Sequence, residues 1–202
     1  MKTLLTFKPL LLSLALVAFF AVGGRAAKAA TVTYSTTGSF NGGGSSITFG
    51  GGGNTLTINF LGLTNATVNT PTFASLGDFQ TIVTGSGATI TPGTTFNLII
   101  TQSVPSSGTG TLSSMLSGMV TQNSSTGQVT FTVTTAVING VTYTVTNNPL
   151  NLVPPSTNNG ITSVQAQITG PAVPEPATML LLGTGLAGVA GAVRRRKARK
   201  SD

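Results

Sequence analysis

Cysteine, histidine and tryptophan are all missing from this 202-residue chain, and each absence removes a class of chemistry. Without cysteine there is no disulfide, no thiolate nucleophile and no lipid-modified N-terminal cysteine. Without cysteine or histidine, the usual zinc and copper sites cannot be built. Charge is just as scarce. The ten basic residues are Lys2, Lys8, Arg25 and Lys28 at one end and Arg194, Arg195, Arg196, Lys197, Arg199 and Lys200 at the other. Between Ala29 and Val173 the only charged side chain is Asp78. A formal net charge of +7 therefore does not describe a basic surface, and it excludes nucleic acid as a partner of the body, since nothing there can neutralise phosphates. A serine or threonine nucleophile would find no histidine or lysine to activate it. Glycoside hydrolysis by a carboxylate pair lacks the second carboxylate. A calcium cage would have one acid and backbone carbonyls, which makes a weak site at best. The expectation is a protein with no enzyme activity, no cofactor and no metal.

Long apolar runs occur only at the two ends. Residues 1–29 read as a secretory signal peptide. Lys2 and Lys8 precede a 13-residue apolar stretch, Leu10 to Val22, which is short for a membrane span. Ala27 and Ala29 supply the small residues at −3 and −1, placing signal-peptidase cleavage after Ala29. An earlier site at Ala21-Val22-Gly23 is the alternative. The Sec export machinery is the implied route out of the cytoplasm.

The C-terminal end has three physically different parts. Val173, Pro174, Glu175 and Pro176 form a box that is not helical, because the residue before each proline is driven to extended backbone. Ala177 to Val193 is an uncharged run of 17 residues, reaching roughly 25 Å as a helix, the short end of a transmembrane helix. Six cations then fall within the seven residues Arg194 to Lys200. Arg194, Arg195, Arg196 and Lys197 are the topology anchor: by the positive-inside rule they stay cytoplasmic, so everything before the box lies outside. This order resembles the PEP-CTERM sorting signal of diderm bacteria. The residues that carry the likeness are Pro174, Glu175 and Pro176, then Leu180-Leu181-Leu182-Gly183, then Arg194 to Arg196. Ala177 stands where the family often has serine, and the helix lacks the family's early tryptophan. The resemblance implies recognition of the box by an exosortase, a transpeptidase-like membrane protease. It also implies transient anchoring in the inner membrane, followed by a final location at the cell surface or in the extracellular matrix, with extracellular polysaccharide a possible partner.

Residues 30–170 form the body, with 171–202 as the sorting segment. No window of the body keeps a 3.6-residue apolar period. Short alternating runs predict strands at 31–35, 46–49, 55–61, 79–84, 95–102, 115–122, 129–137, 141–146 and 161–169. Glycine, proline and asparagine clusters separate them, at 42–44, 50–53, 85–87, 92–93, 105–110, 123–127, 147–149 and 154–160. Many short strands with no helix between them predict an all-β fold, a single antiparallel β-sandwich of jelly-roll-like or Ig-like kind. It would be flanked by the N-terminal signal helix and the C-terminal transmembrane helix. The sharpest local pattern is 129–146. Val129, Phe131, Val133 and Val137 lie on one face, and Val141, Tyr143 and Val145 alternate on the return strand. Asn139-Gly140 suits a two-residue turn, which would pair Val137 with Thr142. A three-residue loop, 138–140, pairs Val137 with Val141 and Val133 with Val145, and keeping apolar faces together favours it. Thr94 to Gln102 and Asn139 to Tyr143 resemble the threonine-rich choice-of-anchor β-domains found upstream of such sorting signals.

The remaining motifs are weak. Asp78, after Gly77, reads as a turn residue at a strand start. Residues 50–53 are glycine without the Lys-Ser/Thr of a phosphate loop, hence a turn. Asn65-Ala66-Thr67 and Asn123-Ser124-Ser125 match the N-glycosylation pattern, which is common by chance in a chain so rich in Ser and Thr. The function expected is that of a noncatalytic exported surface or matrix protein, with a carbohydrate-binding or adhesive module as the alternative.

Overall fold

The computed structural model describes residues 29–170, 183–186 and 188. Alternation of apolar and hydroxyl-bearing residues builds nearly all of the body. In Asn54–Leu61, Leu56, Ile58 and Phe60 turn inward, while the residues between them face outward. β-Branched Thr suits the outer position because its stiff side chain fits the pleat and its hydroxyl can bond across strands. Fourteen strands result: β1 Ala30–Phe40, β2 Ser46–Gly51, β3 Asn54–Leu61, β4 Ala66–Thr70, β5 Thr72–Thr84, β6 Ala88–Thr89, β7 Thr95–Val104, β8 Gly108–Ser117, β9 Met119–Val120, β10 Gln128–Phe131, β11 Thr135–Ile138, β12 Val141–Val145, β13 Leu150–Asn151 and β14 Ile161–Thr169.

Two six-stranded antiparallel sheets hold twelve of them. The first has the order β13-β10-β8-β7-β1-β4, the second β11-β12-β14-β5-β3-β2, and β6 pairs with β9 separately. The inner faces of both sheets meet in one apolar core. Its centre is a cluster of four rings, Phe40, Phe60, Phe79 and Phe96, with centroids 4.8–6.3 Å apart. On the outer faces, directly opposed polar residues bond in pairs: Thr33 with Thr67 at 3.0 Å, Thr48 with Thr57 at 2.9 Å, and Ser46 with Asn59 at 2.7 Å. Such cross-strand pairs are the unit of sheet stabilisation, and here they replace the ion pairs that an uncharged body cannot make.

An all-β sandwich is what the sequence predicts, and the final strand begins and ends where expected. The hairpin prediction is wrong. Ile138 pairs with Val141, Val137 with Thr142 and Ala136 with Tyr143 across a two-residue turn, in which Asn139 (φ 47°) and Gly140 (φ 83°) are both left-handed. The error lies upstream of the turn. Residues 129–137 are two strands, not one: β10 belongs to the first sheet, β11 to the second, and the chain crosses between them at residues 132–134. The crossing resets the alternation. Val129 and Phe131 are buried, but Ala136 and Ile138 take the inward places afterwards, leaving Val133 44% and Val137 65% exposed. With Ile138 inward, the two-residue turn is the register that keeps the apolar faces together.

A second reset lies in β5, which begins at Thr72 rather than at 79. Opposite it, β14 shifts register between Ser163, paired with Asp78, and Gln165, paired with Ser75. The extra residue is a β-bulge at Leu76-Gly77. Gly77 has φ 121°, and a Cβ there would lie 2.6 Å from Phe60 Cζ and 2.7 Å from the Leu61 carbonyl oxygen. No other residue fits that backbone and that space.

The two ends of the body meet. Ala30 pairs with Thr70 at the corner between β4 and β5, and Thr70 Oγ1 donates to the Ala30 carbonyl at 3.1 Å. Gly170, just past β14, lies against the same threonine.

Candidate functional site

The sorting residues Val173, Pro174, Glu175 and Pro176, the anchor residues Arg194, Arg195, Arg196 and Lys197, and Ala27 of the cleavage site lie outside the described residues. So does the signal helix. Ala29 is described and exposed, one residue ahead of β1. Residues 183–186 and 188, within the expected transmembrane run, are helical. Among the described residues, no helix is long and apolar enough to cross a membrane.

Within the body, the structure moves Asp78 from the expected turn to the middle of β5, on the outer face of the second sheet. It stands between Ser163 of β14 and Leu61 of β3, and Ser163 Oγ donates to Asp78 Oδ1 at 2.6 Å. Gly77, which suggested a turn, serves the bulge instead. Among the described residues no group of three or more carboxylate, imidazole or thiol side chains comes together. Asn65 and Asn123, the two candidate glycosylation positions, are both exposed. Asn65 takes a left-handed backbone at φ 51°.

The two tyrosines occupy the core. Their rings stack edge to face with centroids 5.7 Å apart. Tyr34 donates its hydroxyl to the Ser75 carbonyl at 2.7 Å, and Tyr143 to Gln102 Oε1 at 2.9 Å. Gln102 Nε2 in turn donates to the Ser106 carbonyl at 2.8 Å. Every buried side-chain oxygen and nitrogen among the described residues has a partner. Burial pushes both phenols above the ordinary tyrosine range, and the proximity of Tyr34 adds to the effect at Tyr143. A raised folded pKa means that the native state holds its protons longer than the unfolded chain, which loses them near pH 10. Stability is therefore full below about pH 10 and falls as the pH rises above it. Urea titrations between pH 8 and pH 11 are expected to show a plateau and then this fall, with a shallower slope in Tyr143→Phe. An equal slope in the variant would mean that Tyr143 is not the group held neutral.

Sequence reasoning missed Phe73. It sits in the part of β5 hidden by the bulge, and at 68% exposed it is an open aromatic ring on a sheet face. Alternation around 72–76 is the signal that was present, but it runs out of phase with the segment after Gly77.

Comparison with known proteins adds an address. Residues 172–197 match the model of the PEP-CTERM protein-sorting motif. That match lies wholly outside the β-sandwich and gives no support to the resemblance between the body and choice-of-anchor domains. No curated protein and no solved structure matches the chain.

Proposed function

We propose that this chain, an exported protein with a PEP-CTERM sorting signal at residues 172–197, is a noncatalytic component of the cell surface or extracellular matrix. The signal marks it for processing by an exosortase, a membrane protein, with transient membrane anchoring before surface localisation. The observation that carries the proposal beyond the address is the sandwich itself. Its outer faces carry many hydroxyl and amide side chains, several of them bonded in cross-strand pairs, and its one carboxylate is partly engaged by Ser163. Such a surface suits a hydrated, sugar-rich matrix and offers no acid–base pair for catalysis. A carbohydrate-binding or adhesive module is the second reading, favoured by the exposed ring of Phe73.

Attachment to the matrix is expected to depend little on salt. Ion-pair binding weakens as the Debye length shrinks from about 10 Å at 0.1 M to about 3 Å at 1 M. Fractionation of matrix in NaCl across that range is expected to leave the protein in place. Release by moderate salt, or a wild-type protein absent from surface and matrix fractions, would count against the proposal.

A further inference from the structure

Outer-face residues of β5 and β14 form a continuous track whose order follows from the pairing. Phe73 stands opposite Gln167, Ser75 opposite Gln165, Asp78 opposite Ser163, and Gln80 opposite Ile161. Directly opposed side chains on one face start about 4.5–5.5 Å apart, and the six steps from Gln167 to Ile161 cover about 20 Å. Several features of the molecule thus meet on one strip. The body's single carboxylate is there. So is its most exposed aromatic ring, at 68%.

The polar atoms of the strip are in good part uncommitted. The side-chain amides of Gln80, Gln165 and Gln167 make no hydrogen bond within the described protein, in contrast to the paired hydroxyls elsewhere on the outer faces. Asp78 receives Ser163 on Oδ1 and keeps Oδ2. A carboxylate oxygen is a pure acceptor, whereas each amide both donates and accepts. An aromatic ring offers a flat apolar platform. Together these match a chain of sugar rings: hydroxyls to donate to the carboxylate and exchange bonds with the amides, and a C–H face to lie on Phe73. There is no cation on the strip to hold an acidic sugar, and Asp78 would oppose one.

We infer that the β5–β14 face is a binding track for a neutral polysaccharide, with Phe73 as the stacking platform and Asp78 as the hydroxyl acceptor. This rests on the matrix reading above and gives that reading a site. An aromatic ring under a flat ligand face is a stacking platform, so Phe73→Ala should weaken binding about tenfold. Asp78→Asn keeps the shape and loses the charge-assisted acceptor, and a similar loss is expected.

The test uses the processed extracellular protein, wild type and variant, in affinity electrophoresis through gels containing a neutral β-glucan, a mannan or, as counter-probe, a polyuronate. Thr111→Ala, on the outer face of the other sheet, is the control. Retardation of the wild type by a neutral polymer, lost in Phe73→Ala and Asp78→Asn and kept in Thr111→Ala, supports the track. Retardation by neither neutral polymer overturns it. So does retardation by the polyuronate alone, or equal retardation of all variants. Unchanged melting of Phe73→Ala shows that the variant is folded. Self-association that vanishes in Phe73→Ala also overturns the inference, making the face an interface between copies. Matrix fractionation separates the two levels: if Phe73→Ala remains in the matrix with the wild type, this site is wrong and the matrix reading stands. If the wild type is absent from the matrix, the matrix reading itself fails.

Discussion

Glu175→Ala is expected to stop release of the protein while leaving the β-sandwich intact. The last strand ends at Thr169, so no element of the sandwich uses residue 175. A residue that precedes proline is disfavoured from the helical region, and extended backbone is what a peptide-binding protease can engage. Glu175 is the one acid between Asp78 and the C-terminal Asp202, and we propose it as the charged contact of the box. A hydrogen bond to a charged group is worth about 1.5–3 kcal/mol, so its loss should slow processing about ten- to a hundredfold. Thr184 and Gly188, and Ala187 and Gly191, place small residues four apart, a spacing that lets a second helix approach closely. Mass spectrometry of cell fractions checks both halves of the expectation. The wild-type extracellular form should lack Arg194 to Lys200, and the variant should stay in the membrane at full length. An extracellular wild type that keeps its basic tail, or a variant processed at the normal rate, contradicts the assignment of the box.

The second large effect concerns the core. Phe79→Ala is expected to destabilise the body by about 3–5 kcal/mol, a large part of the 5–15 kcal/mol typical of a domain. Phe79 is fully buried, with its ring centroid 4.8 Å from Phe96, 5.3 Å from Phe60 and 6.3 Å from Phe40. These partners come from both sheets, so truncation opens a cavity between layers that cannot close independently. Melting should fall by about 10 °C or more. Ile82→Ala, three residues along on the outer face, should change stability by no more than about 0.5 kcal/mol. A loss below about 1 kcal/mol in Phe79→Ala would show that the ring cluster is not the centre of the core.

What could be read from the sequence divides along one physical line. The sorting segment was legible because its chemistry is local: two prolines, an apolar run and a cation block act in the order in which they are written. Most strands were legible for the same reason, since alternation is a local pattern. The reading failed where the alternation changes phase. The bulge at Gly77 hid the first half of β5, and the crossing at 132–134 joined two strands into one. It also failed for β8, where Gly108 and Gly110 looked like turn residues but lie in a strand against Ile138 and Ala136. The two-residue strands are too short to carry a pattern at all. The track along β5 and β14 was out of reach for a different reason. Phe73 and Gln167 are far apart in sequence, and only the register of two strands separated by most of the body makes them neighbours.

The place of β14 has a consequence for export. It is the last strand in the sequence, yet it lies inside its sheet, between β12 and β5. Ser163 bonds to Asp78 across 85 residues of chain. A polypeptide threaded outward from its N-terminus therefore delivers β5 and β12 first, each with an unfilled edge and an apolar face awaiting the same partner. Long-range closure of this kind is slow, and the waiting edges are open to wrong pairing. The missing strand arrives with residues 161–169, four residues ahead of Val173. In the order of the chain, the strand that completes the sheet therefore comes directly before the sorting box. The transient membrane anchoring that the sorting signal implies would hold the chain while this last strand inserts.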